Sequence, residues 1–166
     1  AGITQMTRYL EQQGCKTIWF VAGRQTARAF NSRRIALLEA IACSKMILVD
    51  QDEGDFSYES GARAFKALFE RGPLPDALFC ANDAMAMGAM DAARYYHGVS
   101  IPDGLRVIGF DNIPQASWPS YNLTTIEQSI DETVEQIVFI LKQRADDKES
   151  SRIVRMVQTR LVEHSS

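Results

Sequence analysis

Short unbroken apolar runs alternate along this chain with segments of helical periodicity, and that alternation constrains the fold more than any other feature. Thr17-Ile18-Trp19-Phe20-Val21-Ala22 is an uninterrupted β-prone run bounded by Gly23. A strand with one face in water alternates apolar and polar residues. An unbroken run fits a strand covered on both faces, as in a parallel sheet. Residues 46–49, 77–81 and 105–110 read as further strands, 123–127 as a short fifth, and 153–162 as a final strand with partial alternation. Between them lie helical patterns. Ile3, Met6 and Leu10 share a face before Gly14, and Ile35, Leu38 and Ile41 share one within 29–42. Residues 57–71 carry Ala62, Phe65, Leu68 and Phe69 and stop at Gly72-Pro73. Met85, Met87, Met90 and Ala93 follow Asn82-Asp83. A last long helix, capped by Ser129 or Asp131, has the apolar stripe Ile130, Val134, Ile137, Val138 and Leu141. This spacing implies right-handed βαβ crossovers. The class is α/β: an open, doubly wound, mostly parallel sheet with helices on both faces.

Composition removes several function classes. With 166 residues and 46% hydrophobic content, the chain can bury one real core. It has 18 basic against 21 acidic side chains, a net charge of −3. A surface that grips nucleic acid concentrates basic residues against phosphate, so this part is not expected to touch DNA. No apolar run approaches the roughly 20 residues of a membrane helix. The start, Ala1 to Leu10, has no basic region leading into an apolar block, so neither a membrane partner nor a signal peptide is expected. Cys15, Cys43 and Cys80 are widely spaced without a CxxC pair, which argues for buried free thiols in a reducing cytoplasm. The acidic run Asp50, Asp52, Glu53 and Asp55 reads as a solvated loop rather than a metal site. His97 and His164 lie near no Ser or Cys nucleophile motif, and no Gly-rich phosphate cradle is present. Neither an enzyme, a cofactor nor a metal is expected.

In an open α/β sheet, ligands bind beyond the carboxyl ends of the strands. That rule selects residues 23–31, 50–56, Asn82-Asp83, Asp111-Asn112 and Gln128. They supply amides, carboxylates, arginines and an aromatic. Sugar hydroxyls call for planar bidentate partners of this kind and for an aromatic face against their C–H surface. Each residue also has a purely structural reading. Asn82 can cap the following helix and Asp83 can favour its dipole. Asp111 can hold a turn, Arg33 can be a solvated helix residue, and Phe56 can be a core aromatic.

Three stretches then carry a resemblance: Phe79-Cys80-Ala81-Asn82-Asp83-Ala84-Met85-Ala86-Met87-Gly88-Ala89-Met90, Ile101-Pro102-Asp103-Gly104-Leu105-Arg106-Val107-Ile108-Gly109-Phe110-Asp111-Asn112, and Leu123-Thr124-Thr125-Ile126-Glu127-Gln128. In this order and spacing they resemble the lactose/galactose repressor family of bacterial transcription regulators, and the likeness runs along nearly the whole chain. The terminal segment 161–166 is a weaker match, with His164 where the family usually has arginine. The resemblance implies a helix-turn-helix head and a two-lobed effector-binding core like that of periplasmic sugar receptors. It implies Arg33, Phe56, Asn82, Asp111 and Gln128 as ligand contacts, although Ala36-Leu37 stand where a Gly-aromatic pair usually follows the arginine. The implied effector is a small molecule, a sugar or something like it.

By the same resemblance, residues 1–128 form the C-terminal lobe, 129–158 belong to the N-terminal lobe, and 159–166 return to the first. The DNA-binding head and most of the N-terminal lobe are absent. A cytoplasmic homodimer is implied, contacting DNA only through that head, with the helix 84–96 and the loop 113–121 (Trp118 and Tyr121) as interface candidates. The alternative is a periplasmic-type sugar receptor of the same fold. Leaving several large apolar side chains in water forgoes about 1.5–3 kcal/mol each. The stripe of the last helix is therefore expected to fold onto another copy or onto its own lobe.

Overall fold

The apolar run Thr17–Ala22 forms β1, and everything from Ile18 onward in it is buried. The computed structural model describes residues 2–24, 28–146 and 157–166. The other strands are β2 (Ile47–Glu53), β3 (Ala77–Cys80), β4 (Arg106–Phe110), β5 (Thr124–Gln128) and β6 (Thr159–Val162). They form one six-stranded sheet in the order β2-β1-β3-β4-β5-β6. All neighbours pair in parallel except β5 and β6, which run antiparallel. The helices are α1 (Gly2–Gln12), α2 (Arg28–Ala42), α3 (Tyr58–Arg71), α4 (Asp83–Asp91) and α5 (Ile130–Asp146). A π-helical turn, Ala92–Tyr96, extends α4, and a 3-10 turn, Pro114–Ser117, follows β4. The order reverses at β1, which has β2 on one side and β3 on the other, the signature of double winding.

The core lies between sheet and helices. Trp19, Phe20, Phe65, Phe79, Met6 and Leu10 are fully buried. Phe20 and Phe79 stack across β1 and β3 with ring centroids 5.3 Å apart. Helix α1 packs on α2, and α3 packs on α4. The methionines Met85, Met87 and Met90 are buried in this core, so they are packing residues and not part of an exposed contact surface. The terminal segment returns to the sheet. The Ser166 hydroxyl donates to the Val107 carbonyl and accepts from the Thr124 N–H, at 2.8 and 2.7 Å.

Four expectations change. The run 46–49 is not a short buried strand followed by an acidic loop. β2 continues to Glu53 as the outer strand, with alternating exposure, because only β1 flanks it. Its Asp50 and Asp52 hold Arg71 of α3 at 2.9 and 2.7 Å. In α2 the buried face is Leu37 and Ala40, whereas Ile35 and Leu38 are exposed; the helix is rotated relative to the stripe read from sequence. Cys43 is exposed at the end of α2, unlike the buried Cys15 and Cys80. The final strand is Thr159–Val162, and residues 153–156 of the expected strand lie outside the described residues.

Helix α5 does not lay its stripe on its own lobe. Ile130 is 77% exposed and Leu141 62%, with Val134, Ile137, Val138 and Phe139 also open to solvent. Among the described residues, no helix is long and apolar enough to cross a membrane.

Candidate functional site

The parallel strands all deliver their carboxyl ends to one edge, and Arg33, Phe56, Asn82, Asp83, Asp111 and Gln128 gather there, whereas residues 25–27 of the selected stretch 23–31 lie outside the described residues. Asn82 follows β3 as the N-cap of α4. Its Oδ1 accepts from the Met85 N–H and its Nδ2 donates to the Phe56 carbonyl, both at 3.0 Å. The capping reading of Asn82 therefore holds, and the same amide ties the β3 end to the loop after β2. Phe56 sits in that loop with φ 71°, a left-handed conformation that costs a bulky residue energy. Its ring lies across Gly23, where a Cβ would come within 2.0 Å of the ring. A glycine at 23 is thus the condition for the aromatic to cover the end of β1. Asp55 steadies the loop by accepting from the Ser57 hydroxyl and N–H, which hold its carboxyl down at about 2.

Arg33 extends from α2 over the ends of β3 and β4. Its guanidinium donates to the Ala81 carbonyl, pairs with Asp111 at 3.3 Å, and lies 3.9 Å above the centre of the Phe110 ring. A cation over an aromatic face gains electrostatic attraction beyond packing. Burial pushes the Arg33 pKa down, and Asp111 acts against that. Burial likewise raises the Asp111 carboxyl, and Arg33 opposes it. The pair is held in a half-buried position where each charge relies on the other. Asp111 has φ 110° and Asn112 φ 55°, so β4 leaves the sheet through two successive left-handed residues.

The structure thus brings Arg33 and Asp111 together, and Phe56 and Asn82 together. Gln128 shares the edge at the end of β5, paired with Thr159 of β6, and its side chain is not tied to the other four. Asp83, selected from sequence as a strand-end residue and read structurally as favouring the helix dipole, is fully buried and central. It accepts from the Thr125 hydroxyl at 2.5 Å and from the Ile113 N–H at 2.8 Å. Burial raises its carboxyl to about 6, against the lowering effect of those hydrogen bonds. Gly109 makes room for it, since a Cβ there would lie 2.1 Å from Asp83 Oδ1. Glu127, passed over as a strand residue, accepts from Asn112 Nδ2 at 3.2 Å and from Arg160 Nε at 2.5 Å. No sequence pattern marks these partners, because they lie 15 and 33 residues from Glu127 and meet only through strand order.

Residues 7–166 match the periplasmic binding protein-like domain. The chain belongs to that family. Its strand-end cluster lies at the carboxyl edge of a periplasmic-binding-protein-like sheet. The transcriptional repressor PurR of Pasteurella multocida (strain Pm70) is 32% identical over 159 residues, which is 94% of this chain and 47% of that repressor. The repressor CytR of Escherichia coli (strain K12) is 36% identical over 124 residues, 72% of this chain and 36% of CytR. Among solved structures, the transcriptional regulator CelR in complex with cellobiose superposes with a TM-score of 0.87 at 28% identity, covering 99% of this chain and 51% of CelR. The resemblance to the lactose/galactose repressors is borne out by these relatives. The chain spans about half the length of the curated relatives it matches.

Proposed function

We propose that this chain is the effector-binding and dimerisation part of a bacterial transcription repressor, with Arg33, Phe56, Asn82, Asp111 and Gln128 as its half of the ligand cleft. The observation that carries the reading is the Arg33–Asp111 pair held over Phe110 at the carboxyl edge. Two Arg33 hydrogen bonds go to the protein, which leaves further N–H groups of a five-donor fork for a ligand. Asp111 offers carboxylate lone pairs beside it. The Phe56 ring at the Gly23 end completes a set suited to vicinal hydroxyls on an apolar ring, the chemistry of a sugar or sugar-like effector.

In this reading residues 1–128 are one lobe, and α5 with the rest of 129–158 completes a second lobe supplied from elsewhere in a longer, cytoplasmic chain. The exposed apolar face of α5 is what such a lobe would cover. Effector then closes the lobes and alters the spacing of DNA-binding heads in a dimer. Exposed Tyr95 and Tyr96 of the π-helical turn and Trp118 at the end of the 3-10 turn suit the dimer contact. In this role the chain binds its ligand without transforming it.

Calorimetric titration of the full-length protein with a panel of mono- and disaccharides, paired with operator-DNA binding, tests the proposal. Binding by one sugar with a shift in operator affinity supports it. No heat with any sugar and no operator response rejects it.

A further inference from the structure

Two segments that must act together in this reading are the turn after β4 and the root of α5, and one acidic side chain stands between them. Asp111 and Asn112 both adopt left-handed backbone angles, so the turn needs partners to persist. On its buried side it has Asp83, which receives the Ile113 N–H. On its other side Asn112 donates to Glu127 Oε1 at 3.2 Å. The second oxygen of Glu127 receives Arg160 Nε at 2.5 Å. Glu127 and Arg160 are direct cross-strand partners in the β5–β6 ladder, where facing opposite charges are mutually stabilising. Two residues before Arg160, the Gln158 N–H donates to Glu132 Oε2 in the first turn of α5, at 3.0 Å. That turn is capped by Ser129, which accepts from the Glu132 N–H at 3.2 Å.

Polar contacts, joined by the backbone between Asp111 and Asn112 and between Gln158 and Arg160, therefore run from Arg33 through Glu127 to β6 and the root of α5. From Glu127 onward the path follows the wall of a hollow of about 640 Å³ between β5, β6 and α5. Arg160 and then Asn112 hold the Glu127 carboxyl below its ordinary range, consistent with a charged carboxylate shared between them.

We infer that Glu127 is a positioning residue that couples the Asp111–Asn112 turn to the β5–β6 crossover and the base of α5. The inference rests on the effector reading for its purpose, but the coupling belongs to the unliganded protein. It is therefore tested without ligand, by hydrogen exchange and mass spectrometry on the full-length protein. Asn112→Ala is expected to raise exchange in residues 129–134 and 159–162 by about 3- to 10-fold. In a Glu127→Gln background, which keeps an acceptor for Asn112 but releases Arg160, the same substitution is expected to add nothing there. If Glu127→Gln loses its cooperative unfolding transition, Arg160→Met breaks the same link from the exposed end and takes its place. The inference is overturned if Asn112→Ala leaves 129–134 and 159–162 unchanged, or changes them equally in the released background. A sugar panel that fails to bind would reject the effector reading and leave this result standing.

Discussion

The two edges of the sheet use carboxylates in opposite ways. At the amino edge, Asp76 before β3 accepts from the Lys16 N–H, the Thr17 N–H and the Thr17 hydroxyl at 2.8–2.9 Å. Those donors, the Lys16 N–H foremost, hold its carboxyl below the ordinary range. At the carboxyl edge, burial raises both Asp83 and Asp111. Three residues there, Phe56, Asp111 and Asn112, take left-handed backbone angles. One edge is a satisfied staple. The other accepts strain and desolvation where its polar groups cluster, a kind of cost that binding sites concentrate.

The largest effect expected from this contrast is a pH dependence at Asp83. Its folded pKa of about 6 lies above the unfolded value of 3.8. The stability it contributes is thus fully present below pH 3.8 and is lost as pH rises through about 6. Relative to Asp83→Asn, the wild type should lose about 2.5 kcal/mol between pH 4 and pH 7, read from urea unfolding across that range. A constant difference between the two proteins would show that the buried carboxyl is not strained.

Gly109→Ala should cost about 2–3 kcal/mol in the same unfolding assay, because the new methyl displaces the Asp83 carboxylate and its hydrogen bonds. Arg33→Ala should weaken binding of whichever sugar titrates by about 30-fold, roughly 2 kcal/mol, and cost a smaller amount of stability, about 1 kcal/mol, because Asp111 loses its partner. Equal losses of affinity and stability would instead mark Arg33 as a structural residue. Asp76→Ala should cost only about 1 kcal/mol, since the residue is exposed, and should leave sugar affinity unchanged. The Asp76 contribution runs opposite in pH: present above the unfolded pKa and lost as pH falls through the lowered folded value. An effect of Asp76→Ala on binding would erase the distinction between the edges.

Much of the architecture was legible because local pattern and burial coincide. The run of β1 reads as a two-face-buried strand and is one. Asn82 reads as a cap and is one. The misreadings lie where a neighbour decides. Met46 to Val49 is as apolar as an interior strand, but β2 has a strand on one side only, so Ile47 and Val49 stay exposed. Ile35 and Leu38 satisfy helical spacing as well as Leu37 and Ala40 would in isolation, and packing of α2 against α1 chose the other face.

The sequence by itself determined the class of fold and the edge at which polar residues collect. Both follow from short-range chemistry: unbroken apolar strands must be covered on two faces, and parallel strands joined by helices must end together. Only the tertiary structure decided how those residues are paired. Asp83 meets Thr125 across 42 residues, Arg33 meets Asp111 across 78, and Glu127 joins Asn112 to Arg160. Hydrogen bonds act over about 3 Å, so such partners are set by strand order and register, which no local pattern encodes.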